Sequence, residues 1–203
     1  MANRVLIQFA HPALQKSRVN SRLIAAVKNL QNVTINDLYE QYPDFSINVV
    51  REQELLLKHD VIIFHHPFYW YSSPALLKQW EDLVLEYGFA YGTHGTKLAG
   101  KWALTAITTG GSADAYGRNG PNHYSIRELL APLEQTARLC GMVYLPPFVI
   151  SGTVNIRHEN EITKHAELYR RAVETLRDAK LEPAKLSHLM YFNDILREPA
   201  AAY

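Results

Sequence analysis

The sequence predicts a doubly wound α/β domain, in which helices cover both faces of a five-stranded parallel sheet. Short runs of apolar, mostly β-branched residues alternate with helical patterns along the chain, as in parallel strands joined by crossover helices. The first, third and fourth of these runs also lack the apolar–polar alternation of a sheet with one face in water. Both faces of those strands are therefore expected to be buried.

The predicted elements follow one another in a regular order. The strands are Val5–Phe9, Val33–Asp37, Val61–Phe64, Trp102–Thr108 and, with Pro146 and Pro147 inside it, a last strand from Val143 to about Ile150. The helices run from about Ser17 to Leu30, Val49 to Lys58, Ala75 to Leu85 after Pro74, Ser125 to Cys140, and Glu159 to Arg177. Ligands of such sheets bind at the carboxyl ends of the strands, near the point where strand order reverses. The loops after the first, third and fourth strands are therefore the places to search.

The composition favours a small-molecule partner. Hydrophobic residues make up 47% of the 203 residues, and 21 Lys and Arg stand against 20 Asp and Glu. This balance provides no basic face for nucleic acid or an anionic membrane, and no acidic face like that of a small electron carrier. We therefore expect no nucleic-acid partner.

Several features of the chain favour the cytoplasm. Cys140 is the single cysteine, so we expect a buried thiol in a reducing compartment. The residues after Met1 run straight into a short apolar segment, so we expect no secretion signal. No apolar run approaches the roughly 18 to 20 residues of a membrane-spanning helix.

The loop after the first strand carries residues suited to a phosphate. It contains His11 at the strand tip and leads into a helix, whose first amides and positive dipole end attract an anion. Ser17 and Asn20 add a hydroxyl and an amide one turn apart. The G-x-G-x-x-G fingerprint of dinucleotide-binding folds is absent, so these donors suit a monophosphate. The alternative is that Ser17 or Asn20 only caps the helix.

The loop after the third strand is aromatic. Between Pro67 and Pro74 it contains Phe68, Tyr69, Trp70 and Tyr71. Such residues can bury a flat area against a planar ring and hydrogen-bond it, so we expect them to be shielded from solvent. The alternatives are a hydrophobic lid over the sheet end or a dimer contact. His65 and His66 lack nearby Cys or paired carboxylates at ligand spacing, so we interpret them as packing residues and expect no metal.

The loop after the fourth strand combines glycines with a tyrosine and a histidine. Gly110 and Gly111 follow Thr108 and Thr109, and let backbone amides approach the polar edge of a ring. Tyr116 and His123 lie in and just after the flexible segment that follows, and both can donate a proton or stabilise a developing charge. The alternative is an ordinary turn with an incidental Tyr and His.

Ordered blocks of sequence resemble the flavodoxin-like NAD(P)H:quinone oxidoreductase family, most closely the cytoplasmic ancillary reductases of glutathione-regulated potassium efflux systems. The blocks are Ala10–Pro12 with Ser17 and Asn20, Leu38–Tyr39, Tyr42–Phe45, Arg51–Gln53, His66–Pro67, Trp70–Tyr71, Pro74–Trp80, Leu98–Lys101 and Thr108–Gly111. They span nearly the whole chain. The resemblance implies the flavodoxin-like strand order 2-1-3-4-5, and a homodimer in which the partner completes the active site.

The resemblance also implies roles for individual residues. His11, Ser17, Arg18, Val19 and Asn20 would bind the flavin phosphate and ribityl chain; Pro67, Phe68, Tyr69, Trp70 and Tyr71 the isoalloxazine; and Thr108, Thr109, Gly110, Gly111 and Tyr116 its edge. Tyr116 is also implied as the active-site tyrosine, and His123 lies one position from the family's catalytic histidine. The short chain favours FMN, with FAD as the alternative, and NAD(P)H is the implied hydride donor.

Two hypotheses about function follow from this resemblance. In the first, the protein is an NAD(P)H:quinone oxidoreductase, in which NAD(P)H and then a quinone or related electrophile occupy the same site in turn. In the second, it is a regulatory subunit of a potassium efflux transporter, peripheral to the inner face of the membrane, and its reductase activity is incidental. A one-electron carrier is disfavoured by the neutral charge and the tyrosine-bearing loop.

The chain divides into residues 1-179, predicted as the flavin-binding domain, and 180-203, predicted as a C-terminal extension. The extension contains the apolar runs Leu189–Phe192 and Ile195–Leu196. These runs are expected to dock on the domain or on the dimer partner.

Overall fold

A parallel sheet forms the centre of the protein. The structure is a computed structural model that describes residues 2–179, 181–186 and 188–197. Its strands are β1 Val5–Phe9, β2 Val33–Asp37, β3 Val61–Pro67, β4 Trp102–Thr108, β5 Val143–Tyr144 and β6 Phe148–Ile150. They lie in the order β2-β1-β3-β4-β5, with β6 also pairing with β4. This is the predicted strand order 2-1-3-4-5, which is therefore confirmed. All the strand pairs are parallel.

The last strand is interrupted at the two prolines, as predicted. It is divided into β5, which pairs with Trp102 and Ala103, and β6, which pairs with Ala106 to Thr108. Pro146 and Pro147 lie between the two pieces, and proline has no N–H to donate to a strand ladder. In contrast, β3 extends beyond the predicted Phe64 to Pro67, so His65 and His66 belong to the sheet.

The helices are α1 Arg18–Val27, α2 Leu38–Gln41, α3 Val49–Lys58, α4 Ala75–Val84, α5 Ile126–Leu129, α6 Ala131–Leu139, α7 Glu159–Arg177 and α8 Asn193–Arg197. The helix predicted from Ser125 to Cys140 is divided into α5 and α6. Pro132 has no N–H for the preceding turn and suits the first turn of a new helix. None of the helices in the described residues is long and apolar enough to cross a membrane.

Helices cover both faces of the sheet, as predicted. Every residue of β1 and β3 is buried. Val5, Ile7 and Phe9 of β1 pack with α1 and α7 on one face, and Leu6 packs with α3, α4 and α6 on the other. Cys140 is buried in the second cluster, and this burial raises the pKa of its thiol to about 11. The thiol is therefore protonated and unreactive at neutral pH.

A buried carboxylate joins β1, β2, α3 and α4. Glu52 is fully buried. It accepts hydrogen bonds from Gln8 Nε2 at 3.0 Å, Asn36 Nδ2 at 2.8 Å, Tyr42 OH at 2.7 Å and Trp80 Nε1 at 2.8 Å, and its Oε1 contacts the Arg51 guanidinium. A buried carboxylate is tolerated when its lone pairs are satisfied in this way. The network therefore holds the second strand and its following segment against the rest of the sheet.

The segment after α7 packs onto the hydrophobic core that β1 forms with α1 and α7. Its buried side chains Leu181, Leu186, Phe192, Ile195 and Leu196 join the cluster of α1 and α7. The Asn193 side chain donates to Val149 O and accepts from Val149 N–H, both at 2.9 Å, so it occupies the free edge of β6. Residues 180, 187 and 198–203 of the predicted extension lie outside the described residues.

Candidate functional site

A cavity of about 550 Å³ opens at the carboxyl ends of the strands. This volume lies within the usual range of small-molecule sites. The sequence-predicted residues that line it are His11, Ser17, Arg18, Val19, Asn20, Pro67, Phe68, Tyr69, Thr108 and Gly110. The topology thus brings the three predicted loops together in one place, since the ends of parallel strands meet at one edge of the sheet.

The first turn of α1 forms one end of the cavity. The Ser17 hydroxyl caps this helix, because its oxygen accepts a hydrogen bond from Asn20 N–H at 3.2 Å. Ser17 also lines the cavity, so its capping of the helix does not prevent it from contacting a ligand. The first amides of a helix have no acceptor within the helix and carry its positive dipole end. Arg18 and Val19 place their amides in this turn, which suits an anion.

Cationic and neutral hydrogen-bond donors surround the end of the cavity that the first turn of α1 forms. Lys16, Arg18 and Arg157 line the cavity, and Arg18 forms an exposed ion pair with Glu159 at 2.6 Å. Exposed pairs of this kind contribute little energy, so Arg18 can exchange Glu159 for a ligand phosphate at small cost. His11 Nδ1 accepts a hydrogen bond from Ala13 N–H at 3.1 Å, which leaves its Nε2–H as a donor. Burial lowers the pKa of His11, so its ring is neutral.

Asn20 connects the three loops beneath the cavity. Its Nδ2 donates to Ser17 Oγ and to Thr108 Oγ1, both at 3.0 Å, and its Oδ1 lies 3.1 Å from His65 Nε2. Asn20 is 3% exposed and His65 1% exposed. Burial lowers the pKa of His65 to about 3, so this ring is also neutral. Asn20 was predicted as a donor to the ligand, but the protein itself uses both of its amide hydrogens.

The aromatic loop is turned outward more than the sequence predicts. Phe68 is buried, whereas Tyr69, Trp70 and Tyr71 are 43%, 93% and 50% exposed. Of the four, Phe68 and Tyr69 line the cavity. Trp70 and Tyr71 have φ values of 50° and 63°, a strained region for bulky residues. The Trp70 side chain lies in solvent, whereas the Tyr71 hydroxyl donates to Asn122 Oδ1 at 3.1 Å. The prediction that all four aromatic side chains are shielded from solvent is therefore wrong for Tyr69, Trp70 and Tyr71.

The loop after β4 places Tyr116 beside Phe68, but Tyr116 is not among the residues that line the cavity. A Cβ atom on Gly111 would lie 3.4 Å from the Tyr116 ring, an ordinary van der Waals distance, so the tyrosine packs closely over this loop. The Tyr116 ring lies 6.1 Å from that of Phe68. Burial raises the pKa of Tyr116, so its phenol keeps its proton at neutral pH. Thr109 is buried and its hydroxyl donates to Gly111 O at 2.7 Å, which makes it a support of the loop.

His123 lies outside the group of residues that line the cavity. It is exposed, has a φ of 59°, and is not among the cavity residues. Its backbone N–H donates to Gly120 O at 3.0 Å.

The sequence reasoning missed a fourth loop. Thr153, Val154, Ile156, Arg157 and Ile162 also line the cavity, together with Ala13 and Lys16 of the first loop. The residues from Thr153 onward follow β6, which ends at the same edge as the other parallel strands. Thr153 ties this loop to the site, because its hydroxyl donates to Thr109 O at 3.0 Å. The signal was present in the left-handed Gly152 directly after a predicted strand, with Arg157 close behind.

The adjacent buried histidines His65 and His66 do not form a metal site. No group of three or more His, Cys, Asp or Glu in the described part of the chain could hold a metal ion. His65 and His66 are neighbours on a strand, so their side chains point to opposite faces. His66 Nδ1 lies 2.9 Å from Pro67 O and therefore carries a proton.

Comparison with known proteins identifies the relatives of this chain. The family model described as the flavodoxin-like fold matches residues 3–173. General stress protein 14 of Bacillus subtilis (strain 168) is 45% identical over 164 residues, or 81% of this chain and 93% of that protein. The uncharacterized NAD(P)H oxidoreductase YrkL of the same organism is 46% identical over 77% of this chain and 90% of its own. The glutathione-regulated potassium-efflux system ancillary protein KefG of Enterobacter sp. (strain 638) is 44% identical over 82% and 90%.

Solved structures agree with these relatives. General stress protein 14 of Treponema denticola, in complex with FMN, has a TM-score of 0.81 and 36% identity over 85% of this chain and 99% of its own. An NADPH-quinone reductase from P. pentosaceus has a TM-score of 0.75 and 35% identity over 83% and 96%. A structure described as a tryptophan halogenase from Streptomycin violaceusniger has a TM-score of 0.80 and 43% identity over 83% and 97%. With the family model matching residues 3–173, this protein belongs to the family of the flavodoxin-like fold.

Proposed function

We propose that this protein is an oxidoreductase that binds FMN and uses NAD(P)H to reduce a quinone or a related electrophile. The cavity carries this proposal, because it joins an anion-binding helix start to an aromatic loop at the carboxyl ends of the strands. The relatives described as an NAD(P)H oxidoreductase, an NADPH-quinone reductase and an FMN complex support the cofactor and the reaction. The halogenase relative adds no second candidate, since no other observation favours halogenation.

The donor set of the cavity fits a flavin mononucleotide. The phosphate would be held by the first amides of α1, the Ser17 hydroxyl, Lys16 and Arg18. The ring would lie against Phe68 and Tyr69, with its polar edge at the loop from Thr108 to Gly111. Trp70 and Tyr71 do not line the cavity, so their predicted contact with the ring would require a movement of this loop. FAD remains the alternative cofactor.

Each part of the protein has a separate task in this reaction. A bound flavin supplies hydride chemistry, while the protein supplies orientation and electrostatics. Phe68 and Tyr69 would orient NAD(P)H and the acceptor on one open side of the site. Because one side serves both, the two substrates would bind in turn, which predicts ping-pong kinetics. Tyr116 would donate a hydrogen bond to developing negative charge on the acceptor, and His123 would assist only after a movement of its loop.

The Tyr116→Phe variant tests the role of the phenol. We expect the rate of NAD(P)H-dependent quinone reduction to fall by about 100-fold, because one donor to developing charge contributes about this much. The affinity for FMN, measured by titration of the flavin fluorescence, is expected to stay the same. Tyr124→Phe is the matched control, since Tyr124 is 58% exposed on the same segment. A Tyr116→Phe protein that keeps FMN and the full rate would remove Tyr116 from the reaction, and a wild-type protein that takes up no flavin would refute the proposed function.

We also propose that the protein is a homodimer in which the partner covers the aromatic loop. The support is the exposure of Trp70, 93% in one chain, directly after Phe68 and Tyr69, which line the cavity. Large exposed aromatic groups next to a site are typical of interaction surfaces. Sedimentation at micromolar concentration tests this, and a monomer containing FMN would contradict it.

A second candidate function is regulation of a potassium efflux transporter. The relatives described as ancillary proteins KefG favour it. The protein would then be cytoplasmic and reach the membrane through its partner. Co-purification with such a transporter supports this candidate, whereas unchanged transporter gating in cells without the protein contradicts it.

A further inference from the structure

The polarity of the hydrogen bonds around Asn20 decides what the cavity can bind. Ser17 Oγ lies 3.0 Å from Asn20 Nδ2 and 3.2 Å from Asn20 N, and His65 Nε2 lies 3.1 Å from Asn20 Oδ1. In this arrangement the Ser17 oxygen accepts two hydrogen bonds, which occupy both of its lone pairs. Its own hydrogen can then only point outward. Ser17 would be a donor toward the cavity.

The reverse polarity would have the opposite effect. If the Asn20 amide turned over, Ser17 would donate to Oδ1, and Nδ2 would donate to a bare His65 Nε2. The Ser17 hydroxyl would then present a lone pair to the cavity and repel an anion. The choice between the two depends on which nitrogen of His65 carries the proton.

The surroundings of His65 favour the first polarity. Its Nδ1 is buried and has no hydrogen-bond partner among the residues that the structure describes. A proton on Nδ1 would therefore be a buried donor without an acceptor, and unpaired N–H groups are rarer in proteins than unpaired acceptors. The Tyr169 ring packs edge-on against His65 with centroids 4.9 Å apart, which holds the imidazole in place. The proton accordingly belongs on Nε2.

We propose that His65 is a positioning residue for the phosphate subsite, in which its Nε2–H fixes the Asn20 amide and thereby makes the Ser17 hydroxyl a donor to a phosphate. This proposal rests on the proposed function, since it assumes that the phosphate is that of FMN. His65 does not touch the ligand. It acts through Asn20, and the second amide hydrogen of Asn20 orients Thr108 in the same way.

The test compares the affinities of the full-length protein for FMN and for riboflavin, which lacks the phosphate. We expect His65→Leu to weaken the binding of FMN by about 10- to 150-fold, the range of a hydrogen bond to a charged group, and to leave the binding of riboflavin within about twofold. His65→Gln has an amide that can donate to Asn20 Oδ1, so it is expected to restore most of the preference for FMN. His66→Gln, at the next position of β3, is the control and should leave the preference unchanged.

A double mutant separates positioning from a general loss of structure. In a Ser17→Ala background, His65→Leu is expected to change the FMN-to-riboflavin ratio very little, because the hydroxyl that it orients is already absent. Equal weakening of both ligands by His65→Leu, or full additivity with Ser17→Ala, would overturn the proposal. If the wild-type protein binds neither ligand, the proposed function fails instead.

Nitrogen NMR gives an independent measurement that does not require a variant. In the FMN complex, His65 is expected as the Nε2–H tautomer and His66 as the Nδ1–H tautomer, so the two neighbours serve as references for each other. An Nδ1–H tautomer at His65 would overturn the proposal even if FMN is bound tightly.

Discussion

Glu52→Gln is expected to lower the free energy of unfolding by about 1 to 3 kcal/mol, the usual cost of leaving a buried hydrogen-bonding group without its partner. The carboxylate accepts hydrogen bonds from Gln8, Asn36, Tyr42 and Trp80 and contacts Arg51. A glutamine of the same shape turns an N–H₂ group toward some of these donors. It also leaves the Arg51 guanidinium, which is 37% exposed, without its carboxylate. Urea unfolding of the flavin-free protein at neutral pH measures the effect.

Glu54→Gln is the matched control for this prediction. Glu54 lies on the same helix, but its side chain is 60% exposed and pairs with Lys58 at 3.3 Å. The same substitution there should cost about 0.5 kcal/mol or less, since exposed pairs on a helix contribute little. A Glu52→Gln protein as stable as the control would mean that the network contributes nothing beyond what water gives the separate groups.

Phe192→Ala is expected to lower the free energy of unfolding by about 3 to 5 kcal/mol, the typical cost of removing a buried aromatic side chain. Phe192 is fully buried among residues of the main core, and its N–H donates to Pro147 O at 2.9 Å. The family match ends at residue 173, so this side chain lies outside the part of the chain that the family model describes. Thermal and urea unfolding should both report the loss.

The control for Phe192→Ala is Met190→Ala, because Met190 is 51% exposed two positions earlier. Its expected effect is about 0.5 kcal/mol or less. If Phe192→Ala were equally mild, residues 181–197 would be an appendage that the core does not need. The segment also packs near the site, since Tyr191 lies against the buried cluster that contains Phe68, and Arg127 donates to Leu189 O at 3.3 Å. The Phe192→Ala protein is therefore also expected to bind FMN less tightly.

The secondary structure was largely readable from local patterns. The runs at Val5–Phe9 and Trp102–Thr108 and the helix Glu159–Arg177 agree with the structure to the residue. The hydrophobic pattern of each segment reflects which of its faces are buried. Such a pattern can be recognised within a short stretch of chain. The interruption of the last strand at Pro146 and Pro147 was predicted, whereas the division of the helix after Ser125, where Pro132 lies in the first turn of α6, was missed. A proline inside a pattern interrupts the hydrogen bonds without interrupting the hydrophobicity.

The site was predictable to the level of loops. Three of the four loops around the cavity were identified, because ligands of parallel sheets bind beyond the carboxyl ends of the strands. The loop at Thr153–Asn155 was missed, although the same rule applies to it. The orientation of Trp70 was also wrong, since a positive φ is not visible in residue type when the residue is not glycine.

By itself, the sequence determined the parallel sheet, the order in which its elements follow, and the residue types at its carboxyl edge, because these depend on periodicity and on chemistry carried by short segments. Only the tertiary structure decided what each polar side chain does. Asn20, His65 and Thr108 are far apart in the chain and meet beneath the cavity, and there the two hydrogens of the Asn20 amide are taken up by Ser17 and Thr108. A side chain has a limited number of donors and acceptors, so its partners in space determine which of them remain for a ligand.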